Sequence, residues 1–317
     1  MKVLITGGTG FIGTQLALRL LERGNQVTVL GPAATRGPQV PAAAAYVGAE
    51  TTRRGPWQQA LADQDVVINL AGASIFQRWT ARQKQLIYES RVLTTRNLVD
   101  ALPSDRPVVL CSTSAVGYHG STGDATVNEA SGPGRDFLAR VCIDWEKAAS
   151  RAAAKGCRVV LTRFGIVLGP SGGALKQMIP AFKSYLGGPL GSGRQWMSWI
   201  HMEDLLRAML FVIDQQAIHG PVNFTAPVPV QNRTLAKVLG KLLNRPAFVK
   251  TPGFALKLIL GEFGSVLLEG QRALPGKLLE HGFEFKYMDL EEALLAALGK
   301  ENHHSNCYTC LAWEVTF

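Results

Sequence analysis

Gly7-Gly8-Thr9-Gly10-Phe11-Ile12-Gly13 is the stretch that decides the fold. It follows the apolar run Val3-Leu4-Ile5, and after it Ile12, Leu16, Leu20 and Leu21 recur at helical spacing, so the glycines fall where a strand gives way to a helix. In that position Gly7, Gly10 and Gly13 have separate tasks. One turns the chain, one lets an anionic group approach backbone N–H groups, and one lets the helix press on the strand. The helix start adds free N–H donors and a favourable dipole, so the pattern reads as a phosphate cradle. Thr9, Phe11 and Ile12 complete the segment and join the glycines as candidate ligand contacts.

Gly24-Asn25 ends the helix, and Val27-Thr28-Val29-Leu30 is the next strand. Further buried strands read at Val66–Leu70, Val108–Cys111 and Val159–Thr162, separated by helical patterns over Trp57–Ala62, Thr80–Leu102 and Asp136–Lys155. Strands alternating with helices predict an α/β fold, a Rossmann-type doubly wound parallel sheet. Residues 1–168 form the nucleotide-binding part, with the sheet completed by about 200–226 through a helix at Glu203–Ile213 and a strand at Val222–Phe224. Glycine and proline become dense after residue 168, and Asn232–Leu298 reads as mainly helical. Residues 169–199 and 227–298 are therefore expected to build a small C-terminal substrate lobe.

The chain has 317 residues, 47% of them apolar and 18% charged, which excludes a disordered or fibrous protein. No apolar run is long enough for a membrane span, no leader pattern opens the chain, and five cysteines do not form a disulfide frame. A cytoplasmic protein with no membrane partner is expected. The net charge of +9 comes from basic residues that do not cluster, which argues against nucleic acid and for a pocket holding a polyanion. The tail 299–317 breaks the pattern. Its Cys307, Cys310, His303 and His304 lack the usual zinc-site spacer, so it reads as a terminal extension with no metal.

An acid at the end of the second strand would bond a ribose 2′-hydroxyl, whereas a base tolerates a 2′-phosphate. Here Leu30-Gly31-Pro32-Ala33-Ala34-Thr35-Arg36 carries no acid, Gly31 gives room and Arg36 is the nearest cation. NADP(H) is expected over NAD(H), with a solvated loop role for Arg36 as the alternative.

These residues resemble the extended and atypical short-chain dehydrogenase/reductases, within the NAD-dependent epimerase/dehydratase superfamily. The resemblance rests on the glycine motif, on Asn69-Leu70-Ala71-Gly72, on Ser112-Thr113-Ser114-Ala115-Val116-Gly117-Tyr118, and on Arg163-Phe164-Gly165. Gly187–Gln195 with Trp199-Ile200-His201, and Gly270–Pro275, are similar more narrowly to the YfcH-like epimerase family proteins. The resemblance covers roughly residues 1–298. It implies that Leu70, Ala71, Gly72, Ser112, Arg163 and Gly165 line the cofactor, that Ser114 is the catalytic serine, and that Gln195, Trp199 and His201 face the substrate.

The chain departs from that family at the proton-transfer pair. Tyr-x-x-x-Lys sets both side chains on one helix face, where the ammonium makes the phenol a better acid. None of the six tyrosines has lysine four residues later. In register, Cys142 takes the tyrosine place and Glu146 the lysine place, and a thiol beside a carboxylate is a poor proton relay. Tyr118, four residues beyond Ser114, is the remaining acid. Arg91 stands where the family often has an asparagine; a phosphate or carboxylate contact and an exposed helix cation are its two readings. Two functions follow. One is an NADP(H)-dependent oxidoreductase or epimerase-like enzyme acting on a small-molecule substrate, with Ser114 polarising the substrate oxygen and Tyr118 as acid. The other is an inactive dinucleotide sensor. A monomer or a homodimer is expected.

Overall fold

The computed structural model describes residues 1–170 and 172–300; the tail cysteines and histidines weighed above lie outside these. The chain opens with β1 (Lys2–Thr6), α1 (Phe11–Glu22), β2 (Gln26–Gly31) and β3 (Ala45–Gly48). It continues through β4 (Val66–Asn69), α2 (Ala81–Ala101), β5 (Val109–Ala115), the short β6 (Thr126–Val127), α3 (Phe137–Ser150) and β7 (Arg158–Phe164). Seven parallel strands form the central sheet in the order β11-β7-β5-β4-β1-β2-β3, where β11 is Gly220–Phe224. The order reverses between β1 and β4, and in doubly wound sheets ligands bind beyond the carboxyl ends of the strands at such a point.

The inner strands are largely apolar on both faces because helices cover both faces. Val3 and Ile5 pack with Leu16 and Leu20 of α1 and with Leu205 and Met209 of α5 (Met202–Asp214). Leu4, between them in sequence, points to the other face and joins Leu98, Leu110 and Leu161. Thr80 caps α2 and Asp136 caps α3, each accepting from the backbone N–H three residues on.

Beyond β7 the chain adds β8 (Ile166–Leu168), α4 (Gly173–Lys183), β9 (Trp196–Met197), β10 (Trp199–His201), β12 (Val230–Gln231) and α6 (Asn232–Leu243). Then follow α7 (Gly253–Leu260), α8 (Glu262–Val266), β13 (Arg272–Ala273), α9 (Gly276–Glu280) and α10 (Leu290–Ala297). A separate core of Leu168, Phe182, Trp199, Leu235, Leu239, Leu290 and Leu294 holds this part together. Several elements differ from the sequence reading. Edge strand β3 and strand β10 are too short to show a period, and the glycines before α4 mask its helical start. The Trp57–Ala62 segment is a short 3-10 helix over Pro56–Leu61. Among the described residues no helix is long and apolar enough to cross a membrane.

Candidate functional site

The glycine loop lies at the reversal point between β1 and β4. Gly7 has φ +64°, and a Cβ there would stand 2.7 Å from the Leu70 carbonyl oxygen. A Cβ on Gly13 would meet Gly7 O at 2.5 Å and Gly8 Cα at 2.6 Å, so α1 rests directly on the loop. Gly10 differs: its Cβ would meet only Gly7 O, at 3.2 Å, and the residue is exposed. Gly10 is also the N-cap of α1 and carries no side chain to occupy the first N–H groups. The loop thus keeps its backbone tight on the protein side and open on the other. Phe11 turns its ring the opposite way, into a niche bounded by Gly169, Gly172 and Gly173. Ile12 is half-buried against the core.

Around this loop, Leu70 and Ala71 touch Gly7 through their backbone. Thr9 lies against Gly31, where a Cβ would come within 2.7 Å of its methyl group. Arg36 is exposed and braces its own loop, donating to the carbonyls of Ala42 and Ala44. Ser112 is buried and accepts from Asn69 Nδ2 (3.3 Å), which also donates to Thr95 Oγ1 (2.8 Å). Thr6 Oγ1 donates to Asn69 Oδ1 (2.7 Å), so this network ties β1, β4 and β5 together and gives Ser112 a bracing role instead of a ligand contact.

The Ser114 end of the cleft is built from charge. Arg163, near the carboxyl end of buried β7, pairs with both oxygens of Glu146 on α3, each at 2.8 Å. Ser114 at the end of β5 donates its hydroxyl to Glu146 Oε1 at 2.7 Å. All three are buried. Arg163 also lies over the Tyr118 ring, 3.6 Å from its centroid, and holds that ring in place. Cys142, in the tyrosine place, is a buried thiol pushed up to about 11, first by burial and then by Glu146. Lys147 is exposed on the far side of the helix.

The arrangement corrects four further sequence assignments. Ser114 cannot polarise a carbonyl while its hydroxyl donates to Glu146; in this geometry it offers lone pairs. The charge of Arg163 is neutralised by Glu146 and is not free for a cofactor. Trp199 has no exposed surface and donates its indole N–H to Val228 O (3.0 Å), which makes it a core residue and not a substrate wall. An aromatic residue in a glycine-rich stretch reads as a ligand contact because strand pairing of β10 with β8 is invisible in sequence. Gly165 admits the close approach of Ser198, whose carbonyl oxygen would lie 2.6 Å from a Cβ.

Gln195 fastens its loop, donating to Leu190 O (3.1 Å) and Leu267 O (2.9 Å). His201 caps α5, accepting from Glu203 N–H at 3.1 Å, with its ring 4.0 Å from that of Tyr287. Burial holds the His201 imidazole below its usual range. Arg91 is half-buried beside Gly72 and Trp145. The Glu146–Arg163 pair is the part sequence reasoning missed, although an arginine inside the apolar run Val159–Phe164 signals a buried acidic partner.

Residues 3–224 match the NAD dependent epimerase/dehydratase family, and residues 251–297 match a domain of unknown function, DUF1731. The chain is similar to the epimerase family protein SDR39U1 homolog, chloroplastic, of Arabidopsis thaliana, at 41% identity over 302 residues, covering 94% of this chain and 87% of that protein. It is 40% identical over 297 residues to the epimerase family protein YfhF of Bacillus subtilis, covering 93% and 97%. The crystal structure of human epimerase family protein SDR39U1 (isoform2) with NADPH superposes with a TM-score of 0.82 at 31% identity, covering 95% of this chain and 100% of that one. With the glycine loop at the strand-order reversal and a matched span that takes in the whole seven-stranded sheet, the chain belongs to the NAD dependent epimerase/dehydratase family.

Proposed function

We propose that the protein is an NADP(H)-dependent oxidoreductase or epimerase-like enzyme acting on a small carbonyl or hydroxyl compound. The observation that carries this reading is the glycine cradle. Backbone fills the space beside Gly7 and Gly13, while the face of Gly10 is left clear, as a pyrophosphate approaching the α1 N–H groups requires. Residues Gly7–Gly13, Gly31 and Leu70–Gly72 would hold the dinucleotide. When bound, it supplies or takes up hydride.

The preference for NADP(H) is supported by residues 31–49, which contain no Asp or Glu, and by the NADPH bound in the human relative. Arg36 has no carboxylate partner among the described residues, so its charge is available to a 2′-phosphate while it braces its loop.

The chain's own residues divide the remaining work. Tyr118 holds or delivers a proton at its phenolic oxygen, with Arg163 fixing the ring. Ser114 accepts a hydrogen bond from a substrate hydroxyl while its own O–H donates to Glu146. A substrate whose reduced form is stabilised by conjugation, such as a quinone-like carbonyl, needs least help from a proton donor and fits this site best. The engagement of Ser114 by Glu146 also favours a second reading, a dinucleotide sensor without turnover.

The test is titration of tryptophan fluorescence with NADPH and NADH, then NADPH consumption over a carbonyl and quinone panel. Tight NADPH binding with turnover that falls in Tyr118→Phe supports the enzyme. Tight binding with no turnover supports the sensor, and failure of both nucleotides to bind removes the premise of each.

A further inference from the structure

Residues 169–199 and 227–261 contain no Asp or Glu, although Lys and Arg recur through both. These stretches build much of the C-terminal lobe, and they carry exposed apolar surface as well. The six large apolar side chains most open to solvent among the described residues are Tyr185, Leu186, Phe248, Phe254, Leu258 and Ile259, at 57–76% exposure. All six fall inside the acid-free stretches.

The fold brings them together. Gly191 N–H donates to Thr251 O (2.8 Å) and Thr251 N–H to Pro189 O (3.1 Å), so the turn after α4 runs beside the segment that leads into α7. Tyr185 and Leu186 stand on the first and Phe248 on the second, and the Arg245 guanidinium lies 4.7 Å from the Tyr185 ring. α7 continues this surface. Phe254 and Leu258, four residues apart, share one of its faces, with Ile259 beside them. Its other face is filled, for Leu256 is buried and Gly264 of α8 presses on the Leu256 backbone. A helix that buries one leucine and turns larger apolar residues outward is not explained by packing within this chain. Lys183, Lys250 and Lys257 are exposed along the same segments, and none pairs with a carboxylate among the described residues. The first acids after these stretches are Glu262, which Lys84 engages at 2.7 Å, and Glu269.

Charge decides among the partners such a face could take. A second copy docking on it across a two-fold axis would set these cations against the same cations. A bilayer with acidic headgroups answers both features, with phosphates for the cations and an apolar layer for the rings and aliphatic ends. We propose that this face of the C-terminal lobe docks on an anionic membrane surface, with Phe254 and Leu258 entering the headgroup layer and Lys183, Lys250 and Lys257 meeting lipid phosphates. The eight residues of α7 rise about 12 Å, so the helix lies on the bilayer and does not cross it. The expectation of no membrane partner rested on the absence of a spanning run, which does not bear on a surface contact. The proposal is independent of the dinucleotide.

The experiment is flotation of the full chain with vesicles of phosphatidylcholine alone and of phosphatidylcholine with about 30% phosphatidylglycerol, at about 0.05 and about 0.5 M NaCl. Wild type is compared with Phe254→Ser/Leu258→Ser, with Lys250→Glu/Lys257→Glu, and with the control Arg53→Glu/Lys147→Glu, which makes the same charge change on other elements. Melting curves check that each variant folds. The expected result is binding to the mixed vesicles at low salt that falls about tenfold or more without the anionic lipid or at high salt. It should fall as far in the apolar and the lysine variants and stay within about twofold of wild type in the control. Loss in the lysine variant alone, or equal loss in the control, would mean general attraction of a chain with net charge +9 and would overturn the proposal. No flotation of the wild type, or flotation that neither test variant reduces, overturns it as well. Self-association in the absence of vesicles that the apolar variant abolishes, with no flotation, would assign the face to a second copy instead. Should the apolar pair not fold, Leu258→Ser alone carries the comparison.

Discussion

The two ends of the cleft solve opposite problems. At the glycine end the protein strips away side chains, so that backbone N–H groups face open space and little is buried that a ligand must displace. At the Ser114 end it buries a carboxylate, a guanidinium and a hydroxyl and satisfies them with each other. The first end is prepared to bind and contributes little to stability. The second is held by a network whose members each depend on the others, and breaking such a pair costs more than removing it whole.

That asymmetry predicts its own largest effect. Glu146→Ala leaves Arg163 charged, buried and unpaired, and is expected to cost about 3–5 kcal/mol of unfolding free energy in urea titration. Replacing both partners, Glu146→Leu with Arg163→Met, is expected to recover most of that loss. If the double variant is as unstable as the single one, the pair is not a closed unit and the contrast between the two ends fails.

The glycine end should show the reverse pattern, binding lost before stability. Gly10→Val is expected to weaken NADPH about 100-fold, roughly 2.7 kcal/mol, while its melting temperature stays close to wild type, because its Cβ meets only one atom at 3.2 Å. Gly13→Val must push backbone away from backbone at 2.5 Å and should lose binding and stability together. Equal melting temperatures for the two variants would mean that the loop yields more easily than its contacts imply.

This contrast also explains what was legible in the sequence. A backbone requirement leaves a local trace: only glycine meets it, so Gly7, Gly10 and Gly13 announce the cradle and the βαβ unit within a dozen residues. A buried ion pair leaves only half a trace: Arg163 inside its apolar run signals some acidic partner, but Glu146 lies on a different element and only the fold brings the two together. Sequence register placed Glu146 in the lysine position but could not say that Ser114 and Arg163 would both close on it. Trp199 and Gly165 were misread for the same reason, because their contacts are with β8 and Ser198, which sequence spacing does not reveal.

Two further variants sharpen the comparison. Tyr118→Phe should lower turnover about 100-fold, at the low end of what general acid catalysis supplies, with NADPH affinity unchanged. A parallel loss of affinity would place Tyr118 in binding and not in proton transfer. Arg36→Ala should narrow the NADPH-over-NADH preference about tenfold, roughly 1.4 kcal/mol, without altering NADH affinity. Loss of both affinities would mean that bracing the Ala42–Ala44 turn is its main role.

The smallest effect expected is a pH dependence seated at the charged end. His119 follows Tyr118 and is buried, with Nδ1 3.1 Å from Gly132 O and Nε2 without a partner among the described residues. Burial holds its imidazole below 6.5, so the folded protein keeps it neutral where an unfolded chain would already take up a proton. Its contribution is therefore complete above about pH 6.5 and declines as the pH falls from there toward the lowered folded value. The slope is at most about 1.4 kcal/mol per pH unit for each such histidine, and His201, depressed by the same cause, adds a second. Urea unfolding at pH 7.5, 6.5 and 5.5 should show stability dropping on the acid side, and His119→Gln should remove part of that slope while leaving the share of His201. An unchanged slope in His119→Gln would mean that proton uptake near Tyr118 is not coupled to folding, and that the charged end is closed by Glu146 and Arg163 alone.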